Sequence, residues 1–540
     1  MTISLNTIRR TAVEVLAYSV VDLFPGVQII EGKVTDIGFH YDFLLEHPLT
    51  DEALPLIEER MRGVAKEQIP IETMDMMREN AMDFFKHHKQ PLKIDEAANR
   101  PENIVQIWKM GTFYDLCYPP FGHDSSDAGM FKIFKIVSNN ETGVVRISGT
   151  AFANKQDLKY FIKKQEAAKK RDHRILGTEM RLFTEDQENF PGYWSLLPKG
   201  AKIREILLNL VHLEDKRRGV HPVLTPRAPN ASVFKQHALL FQAEPHSYRE
   251  LPIRFSEIVE FAQPVKDDDL WGMFRSRSYT IDTEHVFCTQ KQVFEEIISF
   301  LQFINKTVNI FGFEYHYNLR TRGQKCLGTV ERWNRAIDWM VSGLQTAGVE
   351  YTISKEGMSG PRLEVRLLDP LGREWVGPSL SIDIISPDQL NLRYQESDGS
   401  MQVPAMMTRS VFGPLERFIA LLVENFSGVF PLWMAPEQVR ILPVSEKYIA
   451  YADKVREGLE SAGIRVGTDY RQDPLGGRVH SAVQEKCPYM LIVGDKEENS
   501  GTVKVRTWKQ DNNETVNLES LLAQLQGEIE TKEPLQLRSK

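Results

Sequence analysis

The fold of this chain is decided by residues 245–288, which read PHSYRELPIRFSEIVEFAQPVKDDDLWGMFRSRSYTIDTEHVFC. An apolar, strand-like segment follows Arg249 and Arg254, and it leads into a charged loop at residues 266–269. A second strand-like segment runs from Phe274 to the region of His285. Two such segments with a short polar connection predict a β-hairpin. Arginines that face a pocket from this hairpin suit a phosphate-bearing ligand, because guanidinium groups form charge-assisted hydrogen bonds with phosphate.

Length and composition limit the class of protein. A chain of 540 residues is too long for one hydrophobic core and predicts two to four domains. Its formal net charge of −8 means that any RNA contact must depend on local basic patches, and DNA is not an expected partner. The four cysteines are far apart and form no CxxC pair, which suits a reducing cytoplasm. No apolar run reaches 18 residues, so no membrane span is expected.

The first part of the chain, residues 1–152, mixes helical and strand patterns and predicts an α+β domain. Residues 7–23 have helical periodicity with Asn6 or Thr7 as the N-cap, and residues 139–143 between two apolar runs predict a hairpin. A long charged helix over residues 153–180 then connects two domains. Its KKRDHR run is predicted to be a solvated face, with a phosphate contact to bound RNA as the alternative.

The remainder of the chain divides near residue 435. Residues 153–435 contain many antiparallel strand patterns flanked by helices, which predicts an α+β domain. Residues 436–527 alternate strand and helix, which predicts a small α/β domain with a largely parallel sheet. Within it, Gly463 is predicted to end a helix. A frayed tail is predicted for residues 528–540.

Several sequence blocks resemble the threonyl-tRNA synthetase family, a class II aminoacyl-tRNA synthetase, in the same order from residue 1 to about residue 527. They are RRTAVEVLA and FYDLC, KGAKIREIL with GVHPVLTP (motif 1, with Pro226), PHSYRELPIRF to HVFC (motif 2), GPLERFIALLVENF (motif 3) and VRILPVSEKYIAYADKV with PYMLIVGDKE. The resemblance implies an editing-like domain, a catalytic-like domain and an anticodon-binding-like domain, without the family's ubiquitin-like N-terminal domain. It also implies tRNA as partner, a homodimer through motif 1, and ATP with magnesium as cofactors.

The resemblance places a zinc site in the catalytic domain, held by one cysteine and two histidines. The matching residues here are Phe234, His285 and Thr408. One ligand of three cannot build a catalytic zinc site, so zinc is not expected. His285 is instead predicted to be a strand histidine that is satisfied by a local hydrogen bond.

The editing-like domain departs from the family in the same way. At the helix that resembles the family's H-x-x-x-H pair, this chain has Arg10 and Glu14. These two are predicted to form an exposed ion pair, and hydrolytic editing is not expected because the imidazoles that would handle a proton are missing. Cys117 remains and is predicted to be a small buried hydrophobe, while His123 stands near the last family histidine.

The nucleotide site is retained unevenly. Gln263 replaces the motif 2 arginine that the family places on the α-phosphate, and glutamine supplies no charge there. Arg275 and Arg417 match two further arginines of the family's ATP site, and Arg362 stands where the family has a lysine. An ion pair with the neighbouring Glu416 is the alternative for Arg417. The nucleotide-binding set predicted from the resemblance is therefore Arg275, Arg417, Arg362 and Gln263.

The C-terminal domain departs least from the family. Its candidate tRNA contacts, at predicted strand ends and loops, are Arg471, Arg478, Lys496, Glu497 and Arg506. Surface charge that serves solubility is the alternative for each of them.

Three functions stay open at this point. The pattern of loss favours a synthetase-like protein that keeps the fold, the dimer and tRNA binding as an accessory or regulatory factor, without standard threonine ligation. The alternatives are an active threonine–tRNA ligase with an altered pocket and a repurposed ATP-dependent ligase that activates another amino acid.

Overall fold

The structure is a computed structural model, and it describes residues 3–35, 37–45, 47–116, 119–139, 142–226, 232–508 and 514–532. The chain forms two compact units, Met1–Ala167 with Leu371–Arg373, and Ala168–Pro370 with Glu374–Lys540. The domain boundaries at 152/153 and 435/436 stay predictions. Cys117 lies outside the described residues. In the described part of the chain, no helix is long and apolar enough to cross a membrane.

The first unit has the α+β architecture that the sequence predicted. Its helices are α1 (Leu5–Leu23), α2 (Leu54–Lys66), α3 (Arg78–His87), α4 (Pro91–Ala98) and α5 (Lys155–Lys169), which passes the end of the unit. Its strands are β1 (Gln28–Thr35), β2 (Gly38–Leu44), β3 (Ile71–Met77), β4 (Ile104–Met110), β5 (Phe113–Leu116), β6 (Met130–Ser138) and β7 (Val144–Phe152). They form two antiparallel sheets in the orders β1-β2-β7-β6 and β3-β4-β5.

Two local predictions can be compared with this unit. Strands β6 and β7 pair as an antiparallel hairpin, as predicted, and Gly143 N–H donates to the Asn139 carbonyl at 2.9 Å at its turn. The N-cap of α1 is Ser4, whose hydroxyl accepts from the Thr7 N–H at 3.1 Å, rather than the predicted Asn6 or Thr7. The helix starts earlier because the Ser4 hydroxyl satisfies the Thr7 N–H, one of the first-turn donors that have no partner within the helix.

The second unit is built on an eight-stranded sheet of order β10-β11-β12-β19-β16-β15-β13-β14. Its strands, with two small pairs β8-β9 and β17-β18, are β8 (Phe183–Glu185), β9 (Trp194–Leu196), β10 (His221–Pro222), β11 (Ile253–Ala262), β12 (Ser278–Cys288), β13 (Tyr315–Arg322), β14 (Tyr351–Gly357), β15 (Arg362–Leu368), β16 (Glu374–Asp383), β17 (Tyr394–Gln395), β18 (Met401–Gln402) and β19 (Ala405–Ser410). Its helices are α6 (His173–Glu179), α7 (Pro198–Arg218), α8 (Val233–Gln242), α9 (Val293–Phe311), α10 (Val330–Thr346), α11 (Ser386–Gln389) and α12 (Leu415–Asn425).

The sheet has one apolar and one polar face, because side chains alternate along each strand. Leu319, Leu363, Leu380 and Met407 belong to one buried cluster with apolar residues of α7, α9, α10 and α12. The other face is left for the candidate site. Antiparallel pairing dominates the sheet, which confirms the predicted α+β class.

The C-terminal part of the second unit contains a five-stranded sheet of order β21-β20-β22-β23-β24. The strands are β20 (Val439–Pro443), β21 (Val466–Thr468), β22 (Tyr489–Val493), β23 (Thr502–Thr507) and β24 (Glu514–Asn517), and the helices are α13 (Ile449–Ser461), α14 (Leu475–Gln484), α15 (Asp495–Ser500) and α16 (Leu518–Thr531). Strand β20 pairs in parallel with β21 and β22, whereas β22-β23 and β23-β24 are antiparallel. The sheet is therefore mixed rather than largely parallel.

Two helix ends in this region compare directly with the sequence. Gly463 has φ +80° just after α13, as its predicted role requires. Helix α16 continues to Thr531, so residues 528–531 are helical and not frayed. Ile529 packs against the apolar core of the C-terminal sheet, which explains the longer helix.

Candidate functional site

The predicted hairpin is present, and its connection is pinned by one arginine. Strands β11 and β12 pair over ten residues, from Ile253↔Phe287 to Ala262↔Ser278. The Arg277 guanidinium donates to the Pro191 carbonyl at 2.9 Å and to the Val265 carbonyl at 3.2 and 3.3 Å, and it also pairs with Asp267. These bonds fix the loop between the strands, whose far end carries Arg275.

The two arginines that open the hairpin sequence contact neighbouring side chains, and the pocket expected beside them stays a prediction. Arg254 forms an ion pair with Glu296 of α9 at 2.5 Å and donates to the Arg218 carbonyl at 3.0 Å. Arg249 lies over the ring of Tyr248, 5.7 Å from its centroid. The ion pair links β11 to α9, and the attraction between the two charges offsets part of the cost of removing them from water.

One row of cross-strand partners defines the polar face of the large sheet. Register places Arg320, Arg362, Ser381, Thr408, His285 and Phe255 side by side on six neighbouring strands. Residues opposite each other in a sheet point to the same face. The structure thus places three of the residues that the resemblance singled out on the same face, with Thr408 next to His285 and Arg362 three strands away from His285.

Arg275 and Arg417 lie close to each other beside an aromatic cluster. The Arg417 Nε donates to the Phe274 carbonyl at 3.0 Å, and its guanidinium lies 5.4 Å from the centre of the Trp375 ring. Burial lowers the pKa of Arg417, and the nearby Arg275 lowers this pKa further. Two cations this close, one of them exposed, make a favourable place for a polyanion such as a triphosphate.

Glu416 is not the partner of Arg417, so the alternative interpretation of Arg417 as part of that ion pair is wrong. The Glu416 carboxylate accepts from the Thr280 N–H at 2.7 Å and from the Thr280 hydroxyl at 2.8 Å. Tyr279 was missed by the sequence reasoning. Its pKa is raised by burial and lowered by Arg417, and its ring stacks on Phe261 at 5.6 Å. The only signal for it was an aromatic residue in the arginine-rich second strand.

Gln263 is used to close the hairpin. Its side-chain amide donates to the Ser276 carbonyl at 2.8 Å, and its backbone N–H donates to the Arg277 carbonyl at 2.8 Å. The amide that replaces the family's arginine therefore stabilises the loop and adds no positive charge to the site.

Arg362 belongs to a group of three arginines around one buried carboxylate. Glu364 lies 3.2 Å from Arg320, 3.3 Å from Arg362 and 2.5 Å from Arg366. Arg362 also donates to the Ser379 hydroxyl at 3.1 Å. Burial lowers the pKa of Arg362, and Glu364 opposes that shift. Arg320 also pairs with Glu356 at 3.5 Å, so three arginines face two glutamates and this group has an excess of one positive charge.

The three positions that match the family's zinc ligands hold no ligand set for zinc. His285 Nδ1 lies 2.9 Å from His237 Nδ1 of α8, and the Phe234 ring meets the His285 ring edge-on at 5.5 Å. Thr408 is the cross-strand neighbour of His285. A zinc ion needs nitrogen, sulfur or carboxylate donors with lone pairs directed at it, and Phe234 offers none. The hydrogen bond of His285 is long-range, not local as predicted.

His237 and Glu257 are the functional candidates that sequence reasoning missed in this region. His237 Nε2 lies 3.3 Å from a Glu257 carboxylate oxygen, and Glu257 accepts from the Thr225 N–H and hydroxyl at 2.9 and 2.8 Å. The available signal was the spacing of Phe234 and His237, which at i and i+3 share one helix face. Both His237 and His285 are buried.

A third buried histidine, His173, contacts the hairpin loop. His173 Nδ1 lies 2.7 Å from Glu424 of α12, and its Nε2 accepts from the Met273 N–H at 3.1 Å. Asp172 completes a cluster with metal-like spacing, yet both nitrogens of His173 are already occupied. The KKRDHR run is thus not entirely a solvated face: His173 is fully buried and ties the loop to α12.

The ion pair predicted on α1 is present but buried. Arg10 and Glu14 are 3.8 Å apart, and Glu14 is 1% exposed. Burial raises the pKa of Glu14, and the nearby Asp115 raises it further. Asp115 itself binds the buried Lys93 at 2.6 Å. The expectation of an exposed pair was wrong because Glu14 is buried and Arg10 is held against strand β1, where it donates to the Gly32 carbonyl at 3.0 Å. At His123, the other candidate here, the backbone N–H donates to the Asp127 carboxylate at 2.6 Å.

The candidate RNA contacts of the C-terminal region have different environments. Arg478 is buried and donates to the carbonyls of Asp469, Asp473 and Pro443, so it holds the loops after β20 and β21 together. Arg471 is half exposed and is held by Asp469 at 2.6 Å.

The remaining three candidates lie on or next to α15 and β23. Glu497 accepts from the Gly494 N–H at 3.0 Å and caps α15, and Lys496 is exposed. Arg506 lies on β23 opposite Met490. A cavity of about 320 Å³ opens beside Arg471 at the carboxyl ends of the parallel strands. The assignment of all five residues to RNA stays a prediction, which the burial of Arg478 does not favour.

The architecture and two sequence comparisons define the class of protein. Residues 230–426 match the family described as the tRNA synthetase class II core domain (G, H, P, S and T), and residues 438–528 match the anticodon binding domain. The RNA binding domain of threonyl-tRNA synthetase from Cryptosporidium parvum superposes with a TM-score of 0.62 at 26% identity, covering 66% of this chain and 98% of that one. The chain therefore has the architecture of a class II aminoacyl-tRNA synthetase.

The curated relatives narrow the class further. The threonine–tRNA ligase of Oleidesulfovibrio alaskensis is 35% identical over 94% of this chain and 85% of its own length. The threonine–tRNA ligase of Clostridium acetobutylicum is 32% identical over 97% of this chain and 88% of its own length. The chain belongs to the threonyl-tRNA synthetase family.

Proposed function

We propose that this chain binds tRNA and a nucleotide but does not carry out the standard zinc-dependent ligation of threonine, and that it acts as an accessory or regulatory factor. The observation that carries the proposal is the hairpin loop, where the Gln263 amide is bonded to the Ser276 carbonyl in place of a charged group. Removing one charge-stabilising donor from a transition state costs about 10²–10³ in rate. A loss of this size still permits nucleotide binding, but it does not permit efficient activation of an amino acid.

Nucleotide binding is supported by the residues that remain. Arg417 lies near both Arg275 and Tyr279, and Arg362 belongs to the group of three arginines on strands β13 and β15. These groups would hold ATP with magnesium, which supplies further charge neutralisation on the phosphates when it is bound. Zinc is not part of the proposal.

An active ligase with an altered pocket, for threonine or for another amino acid, is the second candidate. The close pair of the exposed Arg275 and the half-buried Arg417 favours it, because two adjacent like charges repel each other and are stabilised when a polyanion such as ATP binds between them. The two candidates differ in whether an acyl adenylate forms.

Amino-acid-dependent exchange of pyrophosphate into ATP separates the candidates. We expect no exchange with any proteinogenic amino acid, together with tRNA binding that weakens steeply with salt. Exchange with threonine would show an active threonine ligase, and exchange with another acid would show a repurposed one. Gln263→Arg is the matched variant: exchange that appears only in Q263R would show that the missing charge alone silences the site.

A homodimer through α7 and the segment after β10 completes the proposal. Leu213 is 65% exposed on α7, and Leu224 is 88% exposed just after β10. Apolar side chains this exposed are favourable at a subunit interface. One chain has a mass of 62.0 kDa. Light scattering on the full chain should give about twice this mass, and Leu224→Asp should lower the measured mass. We place this function in the cytoplasm, where tRNA is available.

A further inference from the structure

A cavity of about 260 Å³ opens at one end of the large sheet. It lies where β12 ends, β19 begins and β16 ends, and helix α10 forms one of its walls. Ile382 of β16 lines it and belongs to the apolar cluster, whereas the preceding Ser381 belongs to the row on the polar face, because side chains alternate along a strand. Among the described residues, the lining includes no member of that row and none of the nucleotide or tRNA candidates.

The walls of this cavity are largely apolar. Trp339 of α10, Ile384 after β16 and Ala405 of β19 are partly buried and pack against the apolar cluster, and Ile382 is 2% exposed. A cavity of about 150 Å³ holds one benzene molecule. The larger cavity here therefore has room for an aromatic ring with a short substituent.

Three of the four charged groups in the lining are committed to bonds within the protein. Arg332 lies 2.5 Å from Asp388 and donates to the Ile384 carbonyl at 3.1 Å. The Asp383 carboxylate accepts from two backbone N–H groups at the start of α11 and from the Ser386 hydroxyl, each at 2.8 Å. Both carboxylates of the lining are thus satisfied, and Arg332 is neutralised.

Arg335 is the fourth charged group, and its donors are open. Its Nη1 makes one long contact of 3.5 Å with Gln290 Oε1, and no carboxylate in the described part of the chain pairs with it. A guanidinium has five N–H donors. Trp339 lies four residues further along the same face of α10, and its indole N–H has no partner among the described residues. One open cation and a further donor beside apolar walls favour an apolar ligand with a single negative charge.

We propose that this cavity binds a small aromatic monocarboxylate, with its ring against Trp339 and its carboxylate on Arg335. A guanidinium holds a carboxylate through two parallel N–H···O bonds. A phosphate dianion fits less well, because Asp383 and Asp388 line the same cavity and one open cation faces both charges of the ligand. The site is independent of the proposed function, so its failure would leave the expected tRNA binding and the expected lack of pyrophosphate exchange unchanged.

The first test locates the ligand in the full chain labelled with fluorotryptophan. The ¹⁹F signals of Trp339, Trp271 and Trp375 are assigned by their absence in the three Trp→Phe variants, and phenylacetate is added. We expect a saturating shift of the Trp339 signal, whereas Trp271 and Trp375, which contact each other beside Arg417, should not respond. Without a saturating shift of Trp339 the inference is wrong, whatever the other two signals do.

The second test concerns the charge and uses an exposed position, where replacement should leave the melting temperature unchanged. We expect Arg335→Gln to weaken phenylacetate binding by about 10-fold or more in a calorimetric titration, because hydrogen bonds to a charged group are lost. Arg335→Lys keeps the charge without the planar fork and should lose less. Lys306→Gln, at an exposed position on α9 outside the lining, is the matched control and should bind as the natural chain does. Equal affinity of R335Q and the natural chain would overturn the inference.

The third test separates the two parts of the ligand. Benzyl alcohol, acetate and phenyl phosphate are compared with phenylacetate in the same titration. We expect each of them to bind about 10-fold more weakly or less, because benzyl alcohol lacks the charge, acetate lacks the ring and phenyl phosphate brings a second negative charge. Binding of any of the three as tightly as phenylacetate would show that the cavity does not select an aromatic monocarboxylate.

Discussion

The His173 side chain shows how one buried residue supports the nucleotide end of the site from outside it. Its two nitrogens connect Glu424 of α12 with the Met273 N–H, two residues before Arg275. We expect His173→Ala to lower the free energy of unfolding by about 1–3 kcal/mol, because the Met273 amide is left unpaired and Glu424 keeps only its bond from the backbone N–H of residue 173. It should also weaken ATP binding, measured by calorimetry. His173→Asn, whose amide can still reach Glu424, should lose less stability than His173→Ala but should also lose the Met273 bond. If both variants bind ATP as tightly as the natural chain does, His173 does not position the nucleotide end of the site.

Asp282 predicts a pH dependence of stability. It accepts from the Val411 and Phe412 N–H groups at 2.5 and 3.0 Å, yet burial raises its pKa to about 7. The folded chain therefore holds a proton on Asp282 that the unfolded chain releases, so this group favours folding below about pH 4 and the contribution is lost as the pH rises through 7. We expect the difference in melting temperature between the natural chain and Asp282→Asn to shrink from pH 4 to pH 7.5. A difference that stays constant, measured by calorimetry over this range, would show that Asp282 does not titrate there.

Helix α7 starts against a neighbouring carbonyl, and a glycine makes this possible. A Cβ at Gly200 would lie 2.0 Å from the Leu182 carbonyl oxygen, which also accepts from the Leu197 N–H at 2.8 Å. Glycine-to-alanine exchange in a helix normally stabilises it by about 1 kcal/mol. Here we expect Gly200→Ala to lower the free energy of unfolding by about 1–3 kcal/mol through overpacking. Gly527→Ala in α16 is the matched control, because a Cβ at Gly527 would meet no neighbouring residue within 4 Å. This variant should raise the free energy of unfolding in the same denaturant titration.

The elements could be predicted from sequence where the signal is local. The hairpin of β6 and β7, the hairpin of β11 and β12 and the glycine stop after α13 each depend on neighbouring residues, and each is present. The pairing of His285 with His237 lies across 48 residues of sequence, and no local pattern distinguishes it from two unrelated core histidines. Gln263 illustrates the same limit: the lost charge is visible in the sequence, whereas the bond to Ser276 that uses its amide is not.

Within the second unit, a network of four charges holds the C-terminal sheet on helix α7. Lys199 lies 2.6 Å from both Glu437 and Glu485, and Arg440 lies 2.7 Å from the same two carboxylates. These partners lower the pKa of Glu485 to about 2, against the effect of burial. The contribution of Glu485 is therefore complete above its ordinary pKa and is lost as the pH falls toward 2. Lys199→Met should lower the free energy of unfolding by about 1–3 kcal/mol at pH 7 and by less at pH 3, measured by urea titration. An equal loss at both pH values would exclude the charged network as its cause.

The whole chain is acidic, with a formal net charge of −8, so its binding of tRNA must come from a few local cations and must depend on salt. Each lysine or arginine that neutralises a phosphate contributes about 0.7–0.9 to the slope of log K against log salt concentration. We expect Lys496→Ala, at an exposed position on α15, to reduce the slope by that amount without changing stability. Lys355→Ala, at an exposed position on β14 in the large sheet, is the control and should leave the slope unchanged. Arg478→Ala should instead lower the melting temperature, because its guanidinium holds three carbonyls together in the interior. A reduced slope with unchanged stability in R478A would show that Arg478 contacts RNA directly, and an unchanged slope in K496A would exclude α15 from the interface.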